Sequence, residues 1–213
     1  MTGGAEMTST VIESLGGALL GGFVTGCFTL LGVKKAHRND IRLEEKKQKA
    51  VVDAFLHALR DEIKTVWEVY QVQVGIVIES LQNDDALWFY YPLTQEYFMV
   101  YSSNNHLIGH VKDAEMRRLI VEFYIKAKGL VDSFKMNNHM IKEHAQWTHY
   151  YNLTHNPCFQ QKADDKLSTM KDYAKKLAAS HCELRELADE LIKRLVSYRT
   201  TAEEGCPMTG HPP

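Results

Sequence analysis

Residues 163–199 read ADDKLSTMKDYAKKLAASHCELRELADELIKRLVSYR, and the spacing of their apolar positions sets the fold class. Leu167, Met170, Ala174, Leu177, His181, Leu184, Ala188, Leu191, Leu195 and Tyr198 recur at alternating steps of three and four. On a helix of about 3.6 residues per turn that pattern draws a single stripe. Charged residues fill most of the other positions. The segment therefore predicts one long amphipathic helix whose stripe needs a partner surface.

Two further segments carry the same period. Met116, Ile120, Phe123, Ala127, Leu130, Phe134, Asn138, Ile141 and Ala145 form a seam between Asp113, a residue suited to cap a helix, and Asn156-Pro157, which ends one. Val52, Leu56, Leu59, Ile63, Val66, Tyr70, Val74, Val77 and Leu81 form a third. Within it Val72, Val74, Ile76 and Ile78 alternate with the period of a strand, yet no turn signal precedes them, and the reading stays helical. The expected helices span about 34–82, 112–155 and 163–199, giving an all-α, elongated, antiparallel three-helix bundle over residues 34–200.

Between the first two helices, residues 83–111 lose the period. Asn83-Asp84-Asp85 opens a turn and Pro92 prevents a continuous helix. Seven aromatic residues fall between Trp88 and Tyr101. This aromatic connector is expected to pack over the end of the bundle; a contact surface for a protein partner is the other reading, since Tyr and Trp are enriched in binding hot spots. Residues 201–213 read as a disordered tail.

The N-terminal part has a different character. Ser14 to Val33, SLGGALLGGFVTGCFTLLGV, is 20 residues without a charge. A helix of that length spans about 30 Å, the thickness of a bilayer core. No Lys or Arg precedes it, against a signal peptide. Seven follow between Lys34 and Lys49, among them Lys34, Lys35, Arg38 and Arg42. The reading is a single transmembrane helix over 14–33, with residues 1–13 outside and the bundle in the cytoplasm of a bacterial inner membrane. The basic flank meets the lipid bilayer. One stripe of the span, Ser14, Ala18, Gly22, Thr25, Thr29 and Gly32, is small throughout, which predicts a homo-oligomer packed through this face or, with many copies, a pore lining.

Composition narrows the function. With 25 Lys+Arg against 27 Asp+Glu the net charge is −2, so binding to nucleic acid through bulk positive charge is excluded. Four cysteines, no two in a CxxC pair, do not make a disulfide scaffold. There is no P-loop, GxGxxG, HExxH or GxSxG. His106 and His110 share a helix face, as do His144 and His155, but no carboxylate or cysteine completes either pair, so no metal and no cofactor is expected.

The remaining candidates are Asn–His spacings: Asn105 with His110, and Asn138 with His144, together with the inward-facing His181. Such a spacing on an all-helical fold resembles the motif of HEPN ribonucleases. That resemblance implies metal-free RNA cleavage with His as acid and base. HEPN enzymes usually carry Arg where this chain has Asn, and an Asn–His pair also serves as a surface, capping or bundle-register contact. The stretch YFMVYSSNNHLIGHVKDAEMRRLIVEFYIKAKGLVDSF, residues 97–134, together with the layout of residues 14–200, resembles small single-span bacterial membrane proteins with a cytosolic helical bundle, such as the membrane accessory proteins of type VI-B CRISPR systems. The resemblance implies a non-enzymatic, oligomeric, membrane-permeabilising role in antiviral defence, with a degenerate HEPN-like motif and RNA as a further partner.

Overall fold

A computed structural model describes the backbone of residues 4–82, 84–92 and 97–204 and the side chains of residues 32–82, 84–92 and 97–198. Every regular element among them is helical: α1 (Gly4–Tyr70), a π-helical turn (Gln71–Gly75), α2 (Ile76–Glu79), α3 (Met99–Asn104), a 3-10 turn (Asn105–His110), α4 (Ala114–Thr154) and α5 (Pro157–Glu204). The chain divides into two compact units, Met1–Val51 and Val52–Pro213.

In the first unit the backbone is helical from Gly4 onward. Every side chain from residue 32 to residue 51 is exposed. The side chains of residues 14–31, including Ser14, Ala18, Gly22, Thr25 and Thr29, lie outside the described ones. Among the described residues no helix is long and apolar enough to cross a membrane.

The second unit is a helical bundle with a main core and a smaller, separate cluster of Ala86, Met140 and Met170. Leu59 and Ile63 from α1, Met116, Leu119 and Ile120 from α4, and Ala188 and Leu191 from α5 are all fully enclosed. Burying a Leu, Ile or Met side chain in this way contributes about 1.5–3 kcal/mol. Cross-bundle contacts give the directions. Glu62 meets Tyr124 and Tyr70 meets Phe134, so the part of α1 within this unit runs parallel to α4. Tyr198 meets Asp53, His181 meets Tyr70 and Lys126 meets Glu183, so α5 is antiparallel to both.

Parallel α1 and α4 require a returning element, and the connector supplies it. It does not sit over the bundle end, as its composition had suggested. Leu87 and Tyr91 lie beside Asn137 and Asn138, Phe98 packs edge-on to Tyr124 at 5.3 Å, and the Val111 carbonyl accepts from Arg117. The segment thus descends along α4 and fills the fourth side of the bundle. It also holds two short helical elements that no periodicity announced.

Three boundaries differ from the sequence reading. α5 begins at Pro157, not near residue 163: Asn156 accepts from the Cys158 N–H at 2.9 Å, which makes it the cap and places Pro157 where a missing N–H costs nothing. α5 also continues to Glu204, into the expected tail; residues 205–213 lie outside the described ones. The strand-like alternation at Val72–Ile78 falls on the π-helical turn and the start of α2. Its wider turn shifts the seam by one residue, so Ile78 is buried where Val77 was expected, while Val72 and Ile76 are exposed. A side-chain carbon on Gly75 would stand 2.4 Å from Gln71 Oε1, so only glycine lets the Gln71 side chain lie across the turn.

The cap predicted at Asp113 is present. Its carboxylate accepts from Glu115 N and Met116 N and is gripped by both Nε and Nη2 of Arg194 on α5. The Met116 N–H and Arg194 hold its carboxyl below the ordinary range.

Candidate functional site

Among the described residues the buried polar side chains of the bundle are Asn137, Asn138 and His181. Asn138 and its neighbour form the first site. Asn138 Oδ1 accepts from Tyr91 N at 3.0 Å, and Asn138 Nδ2 donates to Tyr91 O at 2.6 Å. The amide pairs with both the N–H and the C=O of one residue, as a neighbouring strand would. Asn137 Nδ2 donates to Leu87 O at 3.1 Å and Phe89 O at 3.3 Å. Two consecutive asparagines of α4 thereby fix residues 87–91.

The second site is a relay across α1, α2 and α5. Tyr70 Oη and His181 Nδ1 are 2.8 Å apart, and His181 Nε2 lies 3.1 Å from Glu79 Oε1. A carboxylate only accepts, so Nε2 donates to Glu79; in a neutral imidazole Nδ1 is then the acceptor of the Tyr70 hydroxyl. Glu79 also accepts from Gln71 Nε2 at 2.9 Å and Arg185 Nη1 at 2.8 Å. Those donors, Gln71 first and then His181 and Arg185, lower the Glu79 carboxyl from 4.5 to about 2. Burial, helped by Tyr91 and Glu79, raises the Tyr70 hydroxyl well above its ordinary value. The Trp67 ring stacks on His181 with centroids 6.0 Å apart.

An imidazole held by a carboxylate is the wiring of a general base. Here its free nitrogen is already taken by a phenol. The phenol borders an almost wholly apolar cavity of about 50 Å³, lined by Trp67, Tyr91, Phe123 and Phe134 among others. Ligand pockets measure about 300–1,000 Å³, so a nucleotide does not fit. The arrangement holds one tautomer of His181 and ties α1 and α2 to α5.

The other candidates stand elsewhere. Asn105 and His110 are exposed on the 3-10 turn. His144 is half-buried one and a half turns beyond Asn138 on α4, edge-on to Trp88 at 5.0 Å. Asn138 and His181 are inward, as the seams required, but each serves a different contact. The five residues are therefore distributed over a surface turn, a backbone clamp, an aromatic contact and a buried relay. Among the described residues no group of three or more His, Cys, Asp or Glu could hold a metal ion. The basic residues Lys34, Lys35, Arg38 and Arg42 are exposed on α1.

Sequence reasoning passed over Asn137, Glu79 and Glu62. Glu62 Oε1 accepts from Val100 N at 2.6 Å, and its other oxygen accepts from Tyr124 Oη at 2.7 Å. It caps α3 from a distance, where Phe98 holds a left-handed backbone (φ 72°) that bulky residues rarely adopt. Only the Asn137-Asn138 doublet left a mark in the sequence; the two glutamates look like ordinary surface charge.

The connector aromatics divide. Tyr91 and Phe98 are buried, whereas Trp88 and Tyr90 are 52% and 48% exposed. Lys142 lies over the Tyr90 ring at 5.3 Å. Compared with protein-family models, curated proteins and solved structures, the chain matches none.

Proposed function

We propose that this protein is a non-enzymatic effector or accessory protein, anchored in a bacterial inner membrane by residues 14–33 with its bundle in the cytoplasm. It assembles as a homo-oligomer through the face bearing Ser14, Ala18, Gly22, Thr25, Thr29 and Gly32, and acts in antiviral defence by changing membrane permeability. The observation that carries this reading is the sequence of α1: a 20-residue uncharged stretch followed by seven Lys/Arg within residues 34–49. The resemblance to the membrane accessory proteins of type VI-B CRISPR systems supplies the defence context.

The ribonuclease alternative draws less support. Asn138 is occupied by the Tyr91 backbone, and His181 is enclosed beside a cavity too small for a nucleotide. A scaffold role has one observation in its favour, the exposed Trp88 and Tyr90 of the connector.

The test is alkaline extraction of membranes carrying the full chain, followed by particle mass in nanodiscs and dye leakage from intact cells. The expected result is retention in the pellet, a multimeric particle and leakage that Gly22→Leu or Thr25→Leu abolishes. Release into the supernatant removes the anchor. A monomeric particle removes the pore.

A further inference from the structure

The stretch of α1 after the proposed span has an arrangement of charge that the anchor does not explain. Lys34, Arg38, Arg42 and Lys46 follow one another at steps of four, with Lys35 and Lys49 beside them. Asp40 and Glu44, also four apart, lie on roughly the opposite side of the helix. Ala36, Asn39, Leu43 and Ala50 occupy the band between, short or neutral side chains that permit close approach. Glu45 on the basic side and Lys47 on the acidic side are the exceptions.

Within one helix this segregation is unfavourable. Like charges four residues apart repel, and the segment has four such pairs: Lys34–Arg38, Arg38–Arg42, Arg42–Lys46 and Asp40–Glu44. Glu45–Lys49 is the one attractive pair at that spacing. All of these side chains are exposed in the single chain. Membrane orientation does not require the pattern either. Positive charge close to the span suffices for that, and Arg42, Lys46 and Lys49 lie roughly 14–24 Å along the axis beyond Val33.

We propose that residues 34–49 form an interaction surface for a second copy of this chain lying parallel and in register, the basic side of one helix against the acidic side of the next. This inference rests on the anchored reading above, because a shared membrane orientation makes the helices parallel and sets them at one height. Asp40 of one copy then falls level with the gap between Arg38 and Arg42 of its neighbour, and Glu44 with the gap between Arg42 and Lys46. Opposite faces meeting in this way suppress like-face pairing, in which six cations would oppose six. A linear polyanion accounts for the basic side alone; a second copy uses both.

The experiment is a charge swap in the full chain, with Lys34 and Lys35 kept so that insertion is preserved. Three variants are compared in nanodiscs: Arg38→Glu with Arg42→Glu, Asp40→Lys with Glu44→Lys, and all four together. Particle mass is read by light scattering, and membrane retention is read separately by alkaline extraction. Each two-site reversal is expected to reduce the multimer to single copies, and the four-site swap to restore it. Mixing the two reversed chains is expected to yield a multimer that neither forms alone. A reversal that leaves the mass unchanged overturns the proposal. So does a four-site swap that stays dispersed, which assigns the basic side to a polyanion. Chains that are retained in the membrane yet never assemble overturn this inference and leave the anchor standing; chains released from the membrane overturn both.

Discussion

Asn138 gives both ends of its amide to the backbone of one residue, Tyr91, whereas His181 gives its two ring nitrogens to side chains, Tyr70 and Glu79. Both are buried and both were legible as inward positions. They differ in what can be taken away. A backbone N–H and C=O persist under any substitution of Tyr91 except proline, so the asparagine site tolerates no apolar replacement without stranding two polar groups. The relay consists of side chains only, and one end of it, Glu79, reaches solvent. Removing several of its members together leaves fewer stranded groups than removing one. One buried polar site thus shapes the chain, and the other joins helices that already pack.

The largest expected effect comes from the residue that touches both sites. The Phe134 ring lies 5.3 Å from Tyr91 and 6.1 Å from Tyr70. Phe134→Ala should cost about 3–5 kcal/mol in urea unfolding of the full chain in detergent. It should also loosen the contrast by disturbing clamp and relay together. Next is Asn138→Ala, which strands the Tyr91 N–H and C=O and should cost about 2–5 kcal/mol. Proteolysis in the segment around residues 84–92 reads that loss directly. Unchanged protection there would mean that the clamp does not hold the connector.

His181→Leu leaves the Tyr70 hydroxyl buried without its acceptor and should cost about 1–3 kcal/mol. Adding Tyr70→Phe should return part of that loss, and a double-mutant cycle measures the coupling. Strict additivity would erase the distinction drawn between the sites.

The smallest effect is acid dependence. The Glu79 carboxyl sits at about 2 against an ordinary 4.5. A carboxyl lowered on folding contributes stability that is present above about 4.5 and is lost as pH falls through about 2. The difference in unfolding midpoint between the wild type and Glu79→Gln should therefore shrink across that window. The corresponding difference for Asn138→Ala, which involves no ionising group, should not.

Much of the bundle could be read from periodicity because helix seams obey a local rule. Leu177, His181, Leu184, Ala188 and Leu191 are all buried on the stripe that spacing assigned them. On α4 the rule gave Ile141 and Ala145, whereas Asn137 and Met140 are the buried residues and Ala145 is exposed. There the helix meets the connector as well as α5, and a second neighbour widens the buried face beyond a single stripe. The path of the connector was not legible. It depends on Glu62 reaching Val100, and on Asn137 and Asn138 reaching Leu87–Tyr91, contacts made across 38 to 50 positions of chain. The candidate site fared similarly. Inward polarity showed at Asn138 and His181, but their partners Tyr91, Tyr70 and Glu79 are set by packing between helices.

The parallel course of α1 and α4 has a consequence for biosynthesis. α4 and α5 are sequence neighbours and close as a local hairpin, whereas the bundle portion of α1 must pair with helices made long after it. A ribosome adding about 5–20 residues per second needs on the order of ten seconds to travel from α2 to the end of α5. Until α4 and then α5 have been made, Leu59, Ile63 and Val74, each wholly enclosed in the finished fold, lack the helices that bury them. The nascent chain therefore presents a long apolar stripe to whatever chaperone meets it first.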